Sequence, residues 1–290
     1  MTVESSAPIR FGFLPFEWVI DFDYGRIVPI PEFNKFSKFV KKHTHHDGHY
    51  YPLPLETVTV VNSAKPKTNR KTKRPAFLHP VPPSHDLFIT PPNAEADIRE
   101  ESAGFILHLL AYLFHTRLQF ADWYYDGRIP IDWVGHDALD PDHVGKYLSA
   151  AYKIWSAWPP EDRKRFTNIL YMFSRRFVYE WEWEEFIIQY MILDACWKMA
   201  EKLFGLKASS HANRIKVMCD KFSMTRIGEF IDLGKMVRLR NDLFHETLWH
   251  GGQPGHSRNY QLDYHMPTRM SVLNEQLIFA LLDQSAKRQK

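Results

Sequence analysis

From about residue 95 onward, apolar residues recur at steps of three and four, the spacing that gives a helix one buried face. The clearest stretch is 183–204, where Phe186, Tyr190, Leu193, Trp197, Ala200 and Phe204 follow at steps of four, three, four, three and four. Those positions fall on one side of a 3.6-residue turn. Gly205 stands just past the last of them, where a left-handed residue commonly ends a helix. Residues 268–284 repeat the pattern with Met270, Leu273, Leu277, Ala280 and Leu281. The same period predicts a helix at about 96–118, through Ile98, Phe105, Leu109 and Leu113, and further helices at about 143–157, 161–179, 211–222 and 228–246. Short connections between such helices imply an antiparallel bundle.

Before residue 95 the pattern changes. Thirteen of the 19 prolines lie there, and proline is excluded from helix interiors and central strands. Between them stand β-like runs at Phe11–Phe16, Trp18–Phe22 and Thr57–Val61, so residues 1–94 read as short strands and loops. A hairpin is expected later, with Phe120–Tyr125 and Ile129–Trp133 joined through Asp126-Gly127. The fold class expected is mainly α, a C-terminal antiparallel helical bundle behind an N-terminal β-rich or mixed α+β region. The domains expected are 1–94, extending to about 140 if the hairpin belongs with it, and 95–290.

Composition adds little until it is divided. Hydrophobic residues are 44%, charged residues 24% and aromatics 15%, and the net charge of +3 is too small for an all-over polyanion clamp. Residues 1–94, however, carry 12 Lys/Arg against 8 Asp/Glu, while 95–290 carry 25 against 26. The local excess centres on Lys65–Arg74, where Lys65, Lys67, Arg70, Lys71, Lys73 and Arg74 occur with no apolar side chain. It reads as a mobile loop or hairpin tip, either simply solvated or a contact for RNA phosphates.

Several function classes drop out. There is no Gly-rich phosphate loop, serine-nucleophile elbow, zinc-protease motif or dinucleotide fingerprint, so no cofactor or metal is expected. Cys196 and Cys219 fit no zinc spacing and read as buried free thiols of a reducing compartment. The N-terminus lacks a charged start followed by an apolar run, and the longest apolar stretch, Phe105–Phe114, is far short of the roughly twenty residues a span needs. A cytoplasmic protein without a membrane partner is therefore expected. His43, His45, His46, Asp47 and His49 could chelate a metal, but no second ligand cluster is evident and a solvated loop is the simpler reading. The alternation at Tyr179–Glu185 fits the start of a helix, with acids near its positive end. His250, Gly251, Gly252 and His256 form a Gly-rich connection close in sequence to the segment of most interest.

That segment is 228–246. Its apolar stripe, Phe230, Leu233, Val237 and Phe244, is interrupted at position 240 by arginine. An arginine there either snorkels to the surface or is held by an anionic partner, because burying it unpaired is costly. On an ideal helix Arg240 and His245 stand about 140° apart. They converge on one ligand only near a helix end, across a distorted turn, or with help from a second chain. Alternatively, Arg240 pairs with a carboxylate such as Asp242, and His245 merely complements the helix dipole.

The run Met236–Glu246, with Arg240, a polar Asn241 directly after it and His245 beyond four intervening residues, resembles the signature of HEPN domains. The helix through Phe186–Phe204 resembles the long helix before that motif, and Met270–Leu282 the one after it; the likeness covers roughly 161–285. What the resemblance implies is a metal-independent endoribonuclease whose composite site is built by a homodimer. His245 would serve as general acid or base at the ribose 2′-hydroxyl or the leaving oxygen, a task for which imidazole is suited. Arg240 would stabilise charge developing on the phosphate, and Asn241 would orient the phosphate or the histidine. The resemblance further suggests a toxin or defence effector with an antitoxin or regulatory partner, RNA being gathered by the basic loop. Many HEPN domains instead dimerise or bind ligands without cutting RNA, so a non-catalytic dimerisation or ligand-binding module is the alternative.

Overall fold

The structure, a computed structural model, describes residues 7–51, 54–57, 70–75, 78–90, 99, 101–121, 123–131, 139–179, 181–224, 231–255 and 266–288. It is mainly helical, with eight α-helices among the described residues and an antiparallel sheet towards the N-terminal side. The chain divides into two units: 1–94 with 110–147, and 95–109 with 148–290.

In the first unit, strands β1 (Ile9–Gly12), β2 (Ile20–Phe22), β3 (Gly25–Pro29), β8 (His85–Ile89) and β9 (Gln119–Phe120) form one antiparallel sheet in the order β2-β3-β8-β1-β9. Alternation sets its buried face. Ile20 and Phe22 point inward with Asp21 exposed between them, and Ile27, paired with Ile20 and Leu87, is fully buried. At Gly25 a Cβ would stand 2.1 Å from the Phe88 carbonyl oxygen, so glycine is required for β3 to approach β8.

Prolines do not keep this region free of helix. Helix α1 (Phe33–His43) fits between Pro31 and Pro52, burying Phe33, Ser37 and Val40 at helical spacing and ending with Lys41, Lys42 and His43 at its negative pole. Val40 joins Phe13, Tyr50, Tyr125, Ile129 and Ile131 in a buried cluster. Nor do the described residues of the expected hairpin pair with one another. Strand β10 (Tyr125–Asp126) pairs with β7 (Leu78–His79), and β11 (Ile129–Pro130) with β4 (His49–Tyr50). Gly127 does turn the chain, at φ 61°, but the flanking segments meet distant strands. Arg117 fixes the turn by donating to Asp126 Oδ1 at 2.7 Å and to the Arg128 carbonyl at 3.0 Å.

Two other expectations in this unit are refined. Of the Lys65–Arg74 run, Arg70, Lys71, Lys73 and Arg74 lie in β6 (Arg70–Pro75), antiparallel to β5 (Pro54–Thr57); Lys65 and Lys67 lie outside the described residues, as does 58–61 of the run Thr57–Val61. The histidine cluster is a helix-to-strand connection. His43 closes α1 with its ring nitrogen on the Phe39 carbonyl, and Asp47 accepts from the His49 N–H and the Tyr51 hydroxyl. That hydroxyl is the main reason Asp47 is held down at about 2. Among the described residues no three His, Cys, Asp or Glu side chains are gathered to hold a metal ion.

From residue 102 onward the described helices are α2 (Ser102–Leu113), α3 (Pro141–Ser156), α4 (Pro160–Arg175), α5 (Glu182–Phe204), α6 (His211–Lys221), α7 (Leu233–Asn241) and α8 (Met266–Arg288). Helix α2 is shorter than its apolar run suggested, because the chain turns at His115, which takes φ 45°. Glu182, Glu184 and Glu185 occupy the first turn of α5, and Gly205 caps it at φ 68° with its N–H on the Glu201 carbonyl. Helix α5 packs against α4, α6 and α8, and α6 packs against α7. A fully buried polar contact joins α5 to α8: Asn274 Nδ2 donates to the Gln189 carbonyl at 2.8 Å and to its Oε1 at 2.7 Å. No helix among the described residues is long and apolar enough to cross a membrane.

Candidate functional site

Helix α7 begins where Asp232 accepts a hydrogen bond from the Lys235 N–H at 2.9 Å, an N-cap that fixes its first turn. Its buried face is Met236, Leu239 and Leu243, not the stripe through Leu233, Val237 and Phe244 that the sequence suggested. Leu233 and Val237 are half-buried and Phe244 is 50% exposed; Phe230 lies outside the described residues. Arg240 therefore does not interrupt the core. It stands beside the buried face, half-exposed.

After Asn241 the helix widens. Residues Asp242–Glu246 form a π-helical turn, closed by Thr247 in the left-handed region at φ 58°. A π turn places residues five apart in register, where an α turn places those four apart. Arg240 and His245 are five apart, so the widening removes the angular separation of an ideal helix. Arg240 Nη1 lies 3.2 Å from His245 Nε2 and 3.0 Å from Asn241 Oδ1. Of the three routes to convergence, a distorted turn within one chain is the one observed. A guanidinium only donates, so in this contact His245 Nε2 carries the lone pair and Nδ1 the proton.

The surroundings leave the arginine open to an anion. Among the described residues Arg240 has no carboxylate partner, Asp242 included, and its buried Nε has no hydrogen-bond acceptor. Its guanidinium lies 5.3 Å from the Phe244 ring centre and 5.9 Å from that of Tyr190 on α5. Aromatic faces hold a guanidinium without neutralising it. The Tyr190 hydroxyl, hydrogen-bonded to His211 Nδ1 at 2.8 Å, continues the constellation to α6. Arg214 Nη1 donates to Asp194 Oδ1 at 3.1 Å close by. Burial, chiefly, pushes Tyr190 up to about 12, so it remains a proton donor. Burial also lowers His211, assisted by Arg214 and Arg240 and opposed by Asp194.

Tyr190, His211 and Arg214 were absent from the sequence expectation. Tyr190 stood on the α5 apolar stripe and read as core, which its 3% exposure partly justifies; only its hydroxyl reaches the site. Nothing in the spacing of His211 and Arg214 points to α7, because the link is through space. His250 sits edge-on to Trp249 with ring centres 4.7 Å apart, and Trp249 packs on Phe186. Burial, then Lys235, lowers its pKa. His256 lies outside the described residues. Cys196 and Cys219 are buried free thiols whose burial pushes them up, Cys219 to about 11. That leaves both poor nucleophiles.

Leu243 and Phe244 of the π turn, with Trp183, Ile187, Leu248 and Pro254, line an apolar groove of about 790 Å³. Phe244 and Leu248 are 50% and 39% exposed in it. No family profile, curated protein or solved structure matches the chain.

Proposed function

We propose that the helical region is a HEPN-like domain and that it cleaves RNA without a metal ion, through Arg240 and His245. The contact across the π turn carries this reading: an imidazole and a guanidinium lacking a carboxylate partner meet at the surface with Asn241 beside them. Arg240 is occupied by neutral acceptors only. A phosphodiester competes for its N–H groups, and the move to the phosphate frees His245 Nε2. That nitrogen takes the proton of the ribose 2′-hydroxyl; the 2′-oxygen attacks phosphorus and the bond to the 5′-oxygen breaks. A 2′,3′-cyclic phosphate and a 5′-hydroxyl result. The leaving oxygen receives its proton from the partner subunit's His245 in a homodimer, seated along the apolar groove where Phe244 and Leu248 are exposed. The cations Lys65, Lys67, Arg70, Lys71, Lys73 and Arg74 gather RNA by phosphate contacts, an attraction that weakens as salt rises.

The test is incubation of the purified chain with mixed RNA in EDTA, beside an Arg240→Ala/His245→Ala variant. The reading expects cleavage in chelator and a loss of at least about 10²-fold in the variant, the size of a general acid–base contribution. Intact RNA at high enzyme concentration overturns it. The exposed groove also favours the non-catalytic reading, in which the same surface only dimerises. Leu248→Asp, which charges the groove without touching Arg240, separates the two: a monomeric variant that still cuts RNA removes the composite site, and a wild-type dimer that never cuts leaves only the binding module.

A further inference from the structure

A second concavity lies within the first unit and is independent of the nuclease reading. Its volume is about 960 Å³, at the upper end of the roughly 300–1,000 Å³ usual for small-molecule sites. Ring systems dominate its lining. The segment joining β7 to β8 contributes Pro80, Pro82 and Pro83, three rigid faces without N–H groups. Helix α1 contributes Phe36 and Phe39, and Tyr124, 61% exposed, supplies a further face.

Besides the tyrosine hydroxyls, the described lining carries two kinds of polar group. Arg10 and Asp86 form a two-point fork, Nε to Oδ1 at 2.9 Å and Nη2 to Oδ2 at 3.2 Å, which presents polar edges with no net charge. His79 is 3% exposed and lies between the rings of Tyr50 and Tyr125, with centres 6.0 and 6.1 Å away. Burial, then Arg117, lowers it to about 4, so at neutral pH it is one donor and one acceptor. Neither ring nitrogen has a partner among the described residues. Buried donors and acceptors are usually satisfied, and an unpaired one at a cavity wall is a place for a ligand's complementary edge.

We propose that this cavity binds a small uncharged molecule with a flat heteroaromatic ring, of the nucleobase or nucleoside class. Stacking faces select a flat ring over an aliphatic chain. The neutral fork and neutral imidazole favour an edge that both donates and accepts over an anion.

The test uses the full chain, with adenosine and uridine as probes and adenosine 5′-monophosphate and n-octanoate as comparisons, read by saturation-transfer NMR and calorimetry. Saturation reaching the base protons of at least one nucleoside is expected, with affinity reduced about tenfold by Tyr124→Ala, whose exposed ring is removable without touching the core. Val81→Trp, filling the cavity, abolishes binding while the Tyr124→Ala melting profile stays that of the parent. Binding persists in Arg240→Ala/His245→Ala, which separates this site from the proposed nuclease. No transfer at millimolar nucleoside overturns the proposal, as do equal binding of octanoate, monophosphate affinity more than about tenfold above adenosine, affinity unchanged in Tyr124→Ala, or loss of binding in Arg240→Ala/His245→Ala.

Discussion

Helices α5 and α7 belong to the same unit but end differently. Helix α5 runs 23 residues as a regular α-helix, keeps one apolar face throughout, and stops at a glycine suited to the left-handed conformation. Helix α7 lasts nine residues and then opens into a π turn that ends at Thr247, a β-branched residue at positive φ. The first geometry maximises burial against α4, α6 and α8. The second gives up regular hydrogen bonding and places Arg240, Asn241 and His245 together at the surface. Polar contacts divide likewise: the buried Asn274–Gln189 pair joins α5 to α8, whereas those of Arg240 involve exposed partners. On the proposed reading, stability and chemistry are carried by different helices, which makes the two separable by mutation.

The largest effect on folding belongs to the regular pair. Leu277→Ala, at a fully buried position of α8, should cost about 2–5 kcal/mol by denaturant unfolding, as a cavity three carbons in size opens in the seam. Arg240→Ala should leave the midpoint nearly unchanged and abolish cleavage. A large loss of stability in Arg240→Ala would blur the division.

Acid comes next. Burial holds His108, in the helical unit, and His79 and His85, in the sheet unit, down at about 4, against an ordinary histidine value of 6.5. The unfolded chain therefore binds protons that the folded chain refuses. Their contribution to stability is complete above pH 6.5 and is lost as pH falls from 6.5 towards 4. Unfolding midpoints measured across that window should drop steadily. His108→Leu should flatten the drop in the helical unit alone, and an unchanged slope there contradicts the assignment.

The smallest effect tests the α5 terminus. Nothing lies within 4 Å of a Cβ at Gly205, so Gly205→Ala should cost only the positive-φ penalty, about 1 kcal/mol by calorimetry. A neutral substitution would mean the chain ends α5 by another route.

Legibility followed the range of the interactions. Helix α5 could be read because its period and cap are local, and α8 for the same reason. The sheet was only partly legible: β1 and β2 overlap the apolar runs in part, but central β8 (His85–Ile89) carries no alternation that marks it, and it pairs with residues 56 to 78 positions earlier. Helix α1 was hidden by proline counting, although Phe33, Phe36, Ser37 and Val40 share the helical spacing. The hairpin failed because Asp126-Gly127 specifies a turn, not the partners of the strands it joins. At the candidate site the residues Arg240, Asn241 and His245 were identifiable, but their geometry was not, because ideal helical angles contain no π turn. Tyr190 and His211 reach the site only through the packing of α5 on α6, which no local pattern records.

The central claim is that Arg240 and His245 drive attack by the ribose 2′-hydroxyl. It is tested most directly on a short oligonucleotide cut by the wild-type chain in EDTA, compared with the same sequence carrying a single 2′-deoxy sugar at the scissile position. The account predicts fragments ending in a 2′,3′-cyclic phosphate and a 5′-hydroxyl, with no cut beside the deoxy sugar. Cleavage that ignores the missing hydroxyl, or fragments ending in a 3′-hydroxyl and a 5′-phosphate, would contradict it.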